Sequence, residues 1–436
     1  MRRHDRRPSP PPTDALRWTA PLPEEPLVPG GPPLLVFSVA DRLPGILAAN
    51  YRAHGVDARP AAPSGPAALA AGRSDCTGKE CLPYQMLWGT FRKTLEDLAP
   101  GTPARLLQFS GEGACRNCVF SAKDQMSLAR NGWADRVGVR HFGPEPRLGR
   151  AFFFRLYAGV VAWELLHQLA SYHGARAAAP ARALYDRFGE ELENIMARPG
   201  ASGPRGWAAA GGVAVDVHAL LLRASRAFAE MSGPAPLRRA LLSGDVYVRL
   251  DAGANDDLVR RLNRLGVAVL VEPLSSLAEY ILDEKSAELF RLPTGFPERP
   301  LTRAAMVGLR RWYHAAARRY NPWLPTVTPA DMAEGTRGKL DRHPRGEAPV
   351  TLGSVYSHWN RGLCDGAVVA SPWGCGPALV AENLLRHDKE IPLLFLYCDG
   401  SPIDDRKLNA FAFRLRRTPP RSSGSKEERP GTLSRG

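Results

Sequence analysis

No run of this sequence is long and apolar enough to span a bilayer. The nearest candidate, Ala151 to Ala170, carries Arg155, Glu164, His167 and Gln168. No secretory signal stands at the start: Met1 to Arg17 is basic, but proline-rich sequence follows it rather than an apolar core. Cysteine is scarce, seven residues in 436, and an odd number does not suggest a disulfide-stapled secreted domain. These absences read as a cytoplasmic chain with reduced thiols and no membrane partner. A GxxxxGK[ST] loop is missing, which argues against ATP hydrolysis through a P-loop, and so is a conventional Gly-rich dinucleotide fingerprint. Ser354 and His358 form no recognisable hydrolase arrangement.

Charge invites a nucleic-acid reading, because the formal net charge is +14. Most of the excess lies at the two ends. Residues 1–17 hold five Arg against two Asp, and residues 411–436 hold six Arg and one Lys against two Glu. The body is left near +6, ordinary for its size. The tails read as disordered basic extensions, and no specific nucleic-acid partner is expected.

The length suits two or three domains. Residues 1–32 are Pro-rich, polar and without periodicity, and read as a disordered tail. Leu34 to Val39, a helix around Pro44 to His54 and a strand opening at Val56-Asp57-Ala58 give a strand–helix–strand rhythm. Residues 59–75 are Ala/Gly/Pro-rich and undetermined. A helix is expected over Gln85 to Leu98, a strand over Ala104 to Phe109, a helix over Ser121 to Asn131 and a strand over Val137 to Phe142. Residues 33–148 therefore read as a first α/β domain. Residues 149–240 read as helical, with helices over Ala151 to Tyr172, Ala181 to Met196 and Gly212 to Met231, broken at Pro199 to Pro204. A second α/β domain is expected over 241–410. It opens with a strand in Leu242 to Leu250, passes Asn255-Asp256 into a helix ending near Gly266, and continues with the strand Val267 to Val271. Residues 302–319 read as helix and 322–350 as a connector; Gly366 to Ala370 and Pro392 to Tyr397 are the last strands, with a helix from Ala378 to His387 between them. Residues 411–436 read as a second disordered tail. No internal repeat stands out. The expected fold is α/β, two Rossmann-like domains with parallel sheets around a mainly helical insert, cysteine loops converging between them.

The cysteines carry the chemistry. Cys81 lies in Gly78-Lys79-Glu80-Cys81-Leu82-Pro83, Cys115 and Cys118 in Gly111-Glu112-Gly113-Ala114-Cys115-Arg116-Asn117-Cys118, and Cys375 in Pro372-Trp373-Gly374-Cys375-Gly376-Pro377. Thiols used only as small core hydrophobes need no such flanks. Thiols gathered on a metal do, because backbone must turn sharply and approach the ligands closely. Cys115 and Cys118 form one CxxC, which fits a redox dithiol, half a zinc site or part of an iron–sulfur site. Cys81 lies 34 positions before Cys115, and Cys375 lies 257 after Cys118, so this is no compact zinc knuckle or ferredoxin run. Such a site would sit between domains. Scattered free cysteines in loops are the plain alternative. Cys364 and Cys398 flank apolar strands and are explained by core packing, while Cys76 is a spare thiol of the Cys81 loop or a solvent-facing one. Asp399-Gly400 follows a strand and reads as a cofactor contact or a turn cap; His358-Trp359-Asn360 reads as a ligand contact or a buried turn.

Taken together, these loops resemble the 2-hydroxyacyl-CoA dehydratase and benzoyl-CoA reductase type of iron–sulfur protein, and within it the acyl-CoA dehydratase activase-related branch. Segments like Gly78-Lys79-Glu80-Cys81-Leu82-Pro83, Gly113-Ala114-Cys115-Arg116 and Asp365-Gly366 through Pro372-Trp373-Gly374-Cys375-Gly376-Pro377 supply that branch's three cysteines. Its Gly-Glu-(Ile/Val)-Tyr-Val-Arg followed by Asn-Asp is similar to Gly244-Asp245-Val246-Tyr247-Val248-Arg249 and Asn255-Asp256, and its acidic residue after the last strand matches Asp399. The similarity covers roughly residues 33–410 in matching order.

The resemblance implies a [4Fe–4S] cluster on Cys81, Cys115 and Cys375. It further implies low-potential electron transfer, or radical reductive dehydration of an acyl-CoA thioester by a lyase or reductase component. Zinc in a non-catalytic binding or scaffold protein is the alternative. An ATP-dependent activase or other electron donor is implied as a separate partner, because the ATP-binding domain of longer relatives has no counterpart here, and a homo- or heterodimer is compatible. Cys118 departs from the pattern, since relatives more often carry glycine near there. With Cys118 as a fourth ligand all irons are capped by thiolate; without it one iron stays open as a Lewis acid. Lys79 and Arg116 are cations beside the loops that could meet phosphate or raise the cluster potential.

Overall fold

The structure is a computed structural model that describes residues 27–109, 115–142, 145, 147–231, 233, 238–282, 299–340 and 346–419. Most of both expected tails, and residues 111–114 before Cys115, lie outside the described residues. The chain is α/β, with two four-stranded parallel sheets.

The first sheet holds β1 (Leu34–Val36), β2 (Ala58–Pro60), β3 (Ala104–Gln108) and β4 (Val137–His141) in the order β2-β1-β3-β4. Its helices are α1 (Leu43–Ala53), α2 (Pro66–Ser74), α3 (Leu82–Glu96) and α4 (Phe120–Arg130). The undetermined stretch 59–75 thus holds α2. Glycine explains how α2 sits: a Cβ added at Gly72 would lie 1.8 Å from the Gln85 carbonyl oxygen, and one at Gly89 would lie 1.8 Å from that of Ala68. The backbones of α2 and α3 therefore touch directly.

Three long helices follow: α5 (Gly149–His173), α6 (Ala178–Met196) and α7 (Gly203–Ala229). α5 is apolar on nearly every side and is buried accordingly. It packs on α1 and α6 and also on the second sheet, so it joins the two halves. Toward the first half the contact is apolar, with the Tyr51 and Phe152 rings 4.9 Å apart. Toward the second half it is polar: Glu164 accepts from the Ser275 amide at 2.6 Å, and the Tyr157 hydroxyl donates to Glu279 at 3.1 Å. Among the described residues one helix, α7, is long and apolar enough to cross a membrane, which corrects the expectation that no such stretch exists. Here its buried face, including Val217, Leu220 and Phe228, packs on α5 and α6.

The second sheet holds β5 (Arg238–Gly244), β6 (Val267–Val271), β7 (Gly366–Pro372) and β8 (Leu393–Cys398), ordered β6-β5-β7-β8. β6 and β7 are nearly continuous apolar runs, as strands covered on both faces require, while β5 is apolar only over Ala240 to Leu242. Between and after them run α8 (Val246–Leu250), α9 (Leu258–Arg264), α10 (Leu274–Leu282), α11 (Arg299–Arg318), α12 (Pro329–Thr336), α13 (Ala348–Asn360), α14 (Gly376–Leu385) and α15 (Asp405–Arg417). Several expectations are corrected. The strand expected in Leu242 to Leu250 ends at Gly244, whose φ of 112° turns the chain, and Asp245 then caps a short helix by accepting from the Val248 amide at 3.0 Å. The 322–350 connector contains α12, started by a Thr328–Asp331 capping box, and leads into α13. The second tail begins later than residue 411, because α15 runs to Arg417 and buries Phe411 and Leu415.

Candidate functional site

Each of the three loop cysteines starts a helix. Cys81 is the N-cap of α3, Cys375 that of α14, and Cys115 that of a 3₁₀ turn, Arg116–Val119, that runs into α4. All three have extended backbone, with φ/ψ of −69°/158°, −71°/118° and −79°/140° respectively. A proline follows two residues after Cys81 and after Cys375, where its fixed φ suits the first helical turn and its missing N–H costs nothing. Cys115 and Cys375 also occupy equivalent places, on the loops after β3 and β7. Those strands lie beside β1 and β5, where the chain order reverses. Open parallel sheets form their ligand crevices at that reversal, outside the carboxyl ends of the strands.

One side chain ties the three loops. The Arg116 guanidinium donates to the Lys79 carbonyl at 2.9 Å and to the Gly374 carbonyl at 3.0 Å. Lys79 is two residues before Cys81, Arg116 follows Cys115, and Gly374 precedes Cys375. Electrostatics runs through the same loops. Burial pushes the Cys81 thiol up to about 11 and the Cys115 thiol up to about 12, and it raises Cys375 as well. The amides of Tyr84, Asn117 and Ala378 oppose this, each favouring one thiolate. Cys81 raises Cys115, Cys115 raises Cys375, and the Asp245 carboxylate raises all three. Each of these four residues keeps partial exposure.

The other cysteines differ. All seven are free thiols. Cys364 and Cys398 are buried in apolar clusters. Cys118 is exposed. Cys76 is half-buried and shares with Cys81 the wall of a 650 Å³ cavity, whose rim also carries Arg73, Lys79, Arg116 and Trp373. Trp373 is 72% exposed and meets Tyr397 edge-on at 5.8 Å. Asp399 lines the same cavity, but its carboxylate accepts from the Ser401 amide at 2.9 Å and so caps the turn. Among the described residues no three His, Cys, Asp or Glu side chains stand together as ligands of a single metal ion.

The Gly244–Arg249 segment and the Asn255-Asp256 pair mostly join domains and loops. The Tyr247 hydroxyl donates to the Ser38 carbonyl at 3.2 Å, and Arg249, fully buried, pairs with Glu347 at 3.0 Å. Asn255 receives the Leu258 amide at 3.0 Å, and Asp256 receives that of Ile403 at 2.8 Å. Just beyond the segment, Asp251 accepts from the Ala40 amide at 3.1 Å and from the Ser64 hydroxyl at 2.8 Å, across the domain boundary. Sequence reasoning left Glu347 unnoticed. Burial first, and then the nearby Glu347 charge, push Asp245 up to about 7, and Glu347 also raises Cys115 and Cys375. A signal was present: Glu347-Ala348-Pro349 opens α13 as Cys81-Leu82-Pro83 opens α3. Ser354 donates to Glu272 at 2.5 Å, and His358 Nδ1 contacts the Ser354 carbonyl at 2.8 Å; both are buried within α13 and form no nucleophile. No protein-family model matches the chain, and no curated protein matches it.

Proposed function

We propose that Cys81, Cys115 and Cys375 hold a [4Fe–4S] cluster in the crevice between the two α/β domains. On this reading the chain acts in low-potential electron transfer, or in reductive dehydration of an acyl-CoA thioester as a 2-hydroxyacyl-CoA dehydratase-like component. The observation that carries the proposal is Arg116, whose two hydrogen bonds draw the Cys81 and Cys375 loops to the Cys115 loop. The donor set suits iron–sulfur chemistry: three thiols, two carboxylates nearby and helix starts that favour negative charge. Zinc would gather its thiolates within about 2.3 Å of one ion, whereas a cubane carries them on different irons, and metal analysis separates the two.

When bound, such a cluster supplies one-electron chemistry at a potential that nearby charge adjusts. The protein's own residues do the rest. Asp245 and Glu347 place negative charge beside the thiols and favour a low potential. Arg73, Lys79 and Arg116 line the cavity reached from Cys81 and suit the phosphates of a CoA thioester, with Trp373 as a face for its adenine ring. Reduction calls for a separate donor, for which an ATP-dependent activase is the class proposed. Anaerobic reconstitution with iron and sulfide tests the reading. It expects about four irons and four sulfides per chain, broad visible absorption, and loss of both in Cys375→Ser and Cys81→Ser. Stoichiometric zinc with no iron, or unchanged iron in both variants, refutes it.

A further inference from the structure

The crevice offers a fourth ligand that is not a cysteine. We infer that the Asp245 carboxylate completes the ligand set of Cys81, Cys115 and Cys375, and that Cys118 lies outside it. This rests on the cluster reading above and adds to it the identity of the fourth position.

Topology places Asp245 there. It follows β5 directly, and β5 lies beside β7 across the point where strand order reverses. The residues after β5 and after β7 therefore flank one crevice, Asp245 on one side and Cys375 on the other. The two sides are tied, because the Asp245 amide donates to the Ala370 carbonyl of β7 at 2.9 Å. Orientation is fixed as well: Oδ1 accepts from the Val248 amide at 3.0 Å, so the carboxylate is held as a cap rather than free to swing. Its charge is felt by all three thiols, on loops from both domains. Cys118 meets none of these conditions; it is exposed, and none of the three thiols has it among its main influences. Cys398 also senses Asp245 and lines the cavity beside Cys81, but it is buried in the apolar core at the end of β8 and none of the three thiols has it among its main influences. A carboxylate is a harder donor than a thiolate and binds iron less tightly against competing oxidation.

The test uses the reconstituted full chain and counts iron. One equivalent of ferricyanide takes one electron from a [4Fe–4S]²⁺ cluster, which releases one Fe²⁺ and leaves [3Fe–4S]⁺ when one iron lacks a thiolate. The wild type is expected to convert, with the three-iron electron paramagnetic signal and one iron in the filtrate. Cys118→Ser is expected to bind the same iron and convert in the same way. Asp245→Asn, which keeps the cap to Val248, is expected to bind four irons and to release one Fe²⁺ faster than the wild type under the same equivalent of ferricyanide. Asp245→Cys is expected to keep four irons under the same oxidant. Loss of iron in Cys118→Ser, or wild-type behaviour in both Asp245 variants, overturns the inference while leaving the three-cysteine cluster standing. A wild type that takes up no iron and sulfide removes both.

Discussion

The two α/β halves share one strand order and spend it differently. In the first half, the loop after β1 is used for attachment: the Ser38 carbonyl receives Tyr247 and the Ala40 amide grips Asp251. In the second half, the matching loop after β5 carries Asp245, whose side chain caps α8. The loops after β3 and β7 are matched in kind, with Cys115 and Cys375 each beginning a helix. The helices that precede those strands are matched in form but not in chemistry, since α3 begins at Cys81 and α13 at Glu347. Parallel topology decides where side chains can meet, and single residues then decide what meets there.

Four variants break or sharpen that comparison. The largest effect is expected at Gly244, where φ is 112° and an added Cβ would lie 2.1 Å from the Ala370 carbonyl oxygen. Gly244→Ala should cost at least about 3 kcal/mol, because strain and a backbone clash coincide. Chemical denaturation measures this, and a loss below 1 kcal/mol (roughly the cost of an ordinary surface change) would mean that the β5–β7 edge yields. Asp251→Ala comes next. It strands the Ala40 amide and the Ser64 hydroxyl at the domain boundary and should cost about 2–3 kcal/mol. Amide exchange should then quicken in both halves at once, and quickening in one half alone would show that the halves are joined elsewhere.

Glu164 contrasts the polar and apolar attachments of α5. Burial pushes its carboxyl up to about 7. The folded chain therefore holds that proton more tightly than the unfolded chain, so this contribution is full below about pH 4.5 and is lost as pH rises through about 7. Glu164→Gln should flatten the melting temperature between those values, by up to about 3 kcal/mol in stability. Asp124 and Asp245, also raised to about 7, keep some slope in the same direction. An unchanged slope in the variant would locate the titration elsewhere. The smallest effect on stability belongs to Arg116→Ala, about 1 kcal/mol for two exposed hydrogen bonds. Its stronger readout is maleimide labelling of Cys81, Cys115 and Cys375 in the metal-free chain, expected to accelerate at all three together. Acceleration at Cys115 alone would show that the loops keep their places without the arginine.

Much of the sheet framework was legible, because buried parallel strands are short apolar runs with glycine nearby. Val267 to Val271 and Ala104 to Gln108 lie where the apolar pattern puts them. Helices lacking a polar stripe were harder. Among residues 348–360 all but Asn360 are buried, so α13 shows no amphipathic period: its first three residues fall in the expected 322–350 connector, and the rest carries no expected element. α2 was hidden by alanine and glycine, whose close packing against α3 cannot be anticipated from propensity. α15 was mistaken in part for a tail, since its arginines masked the spacing of Leu408, Phe411 and Leu415. In the candidate site, flanking glycine and proline are what single the cysteines out in the sequence. Asp245 was legible only as a motif residue and Glu347 not at all, because their relation to the thiols exists only after distant strands are paired.

The contact between α2 and α3 reaches further than its size suggests. Where Gly72 and Gly89 let two main chains touch, a single methyl group at either would wedge the helices apart. The wedge would not stay local, since α3 is rigid and its first turn begins at Cys81. The Cys81 sulfur would travel with the helix while Cys115 and Cys375, on the loops after β3 and β7, stayed behind. Two missing side chains, remote from any thiol, thus calibrate where that thiol stands, and drift at either would be felt first as a misaligned crevice rather than as an unfolded protein.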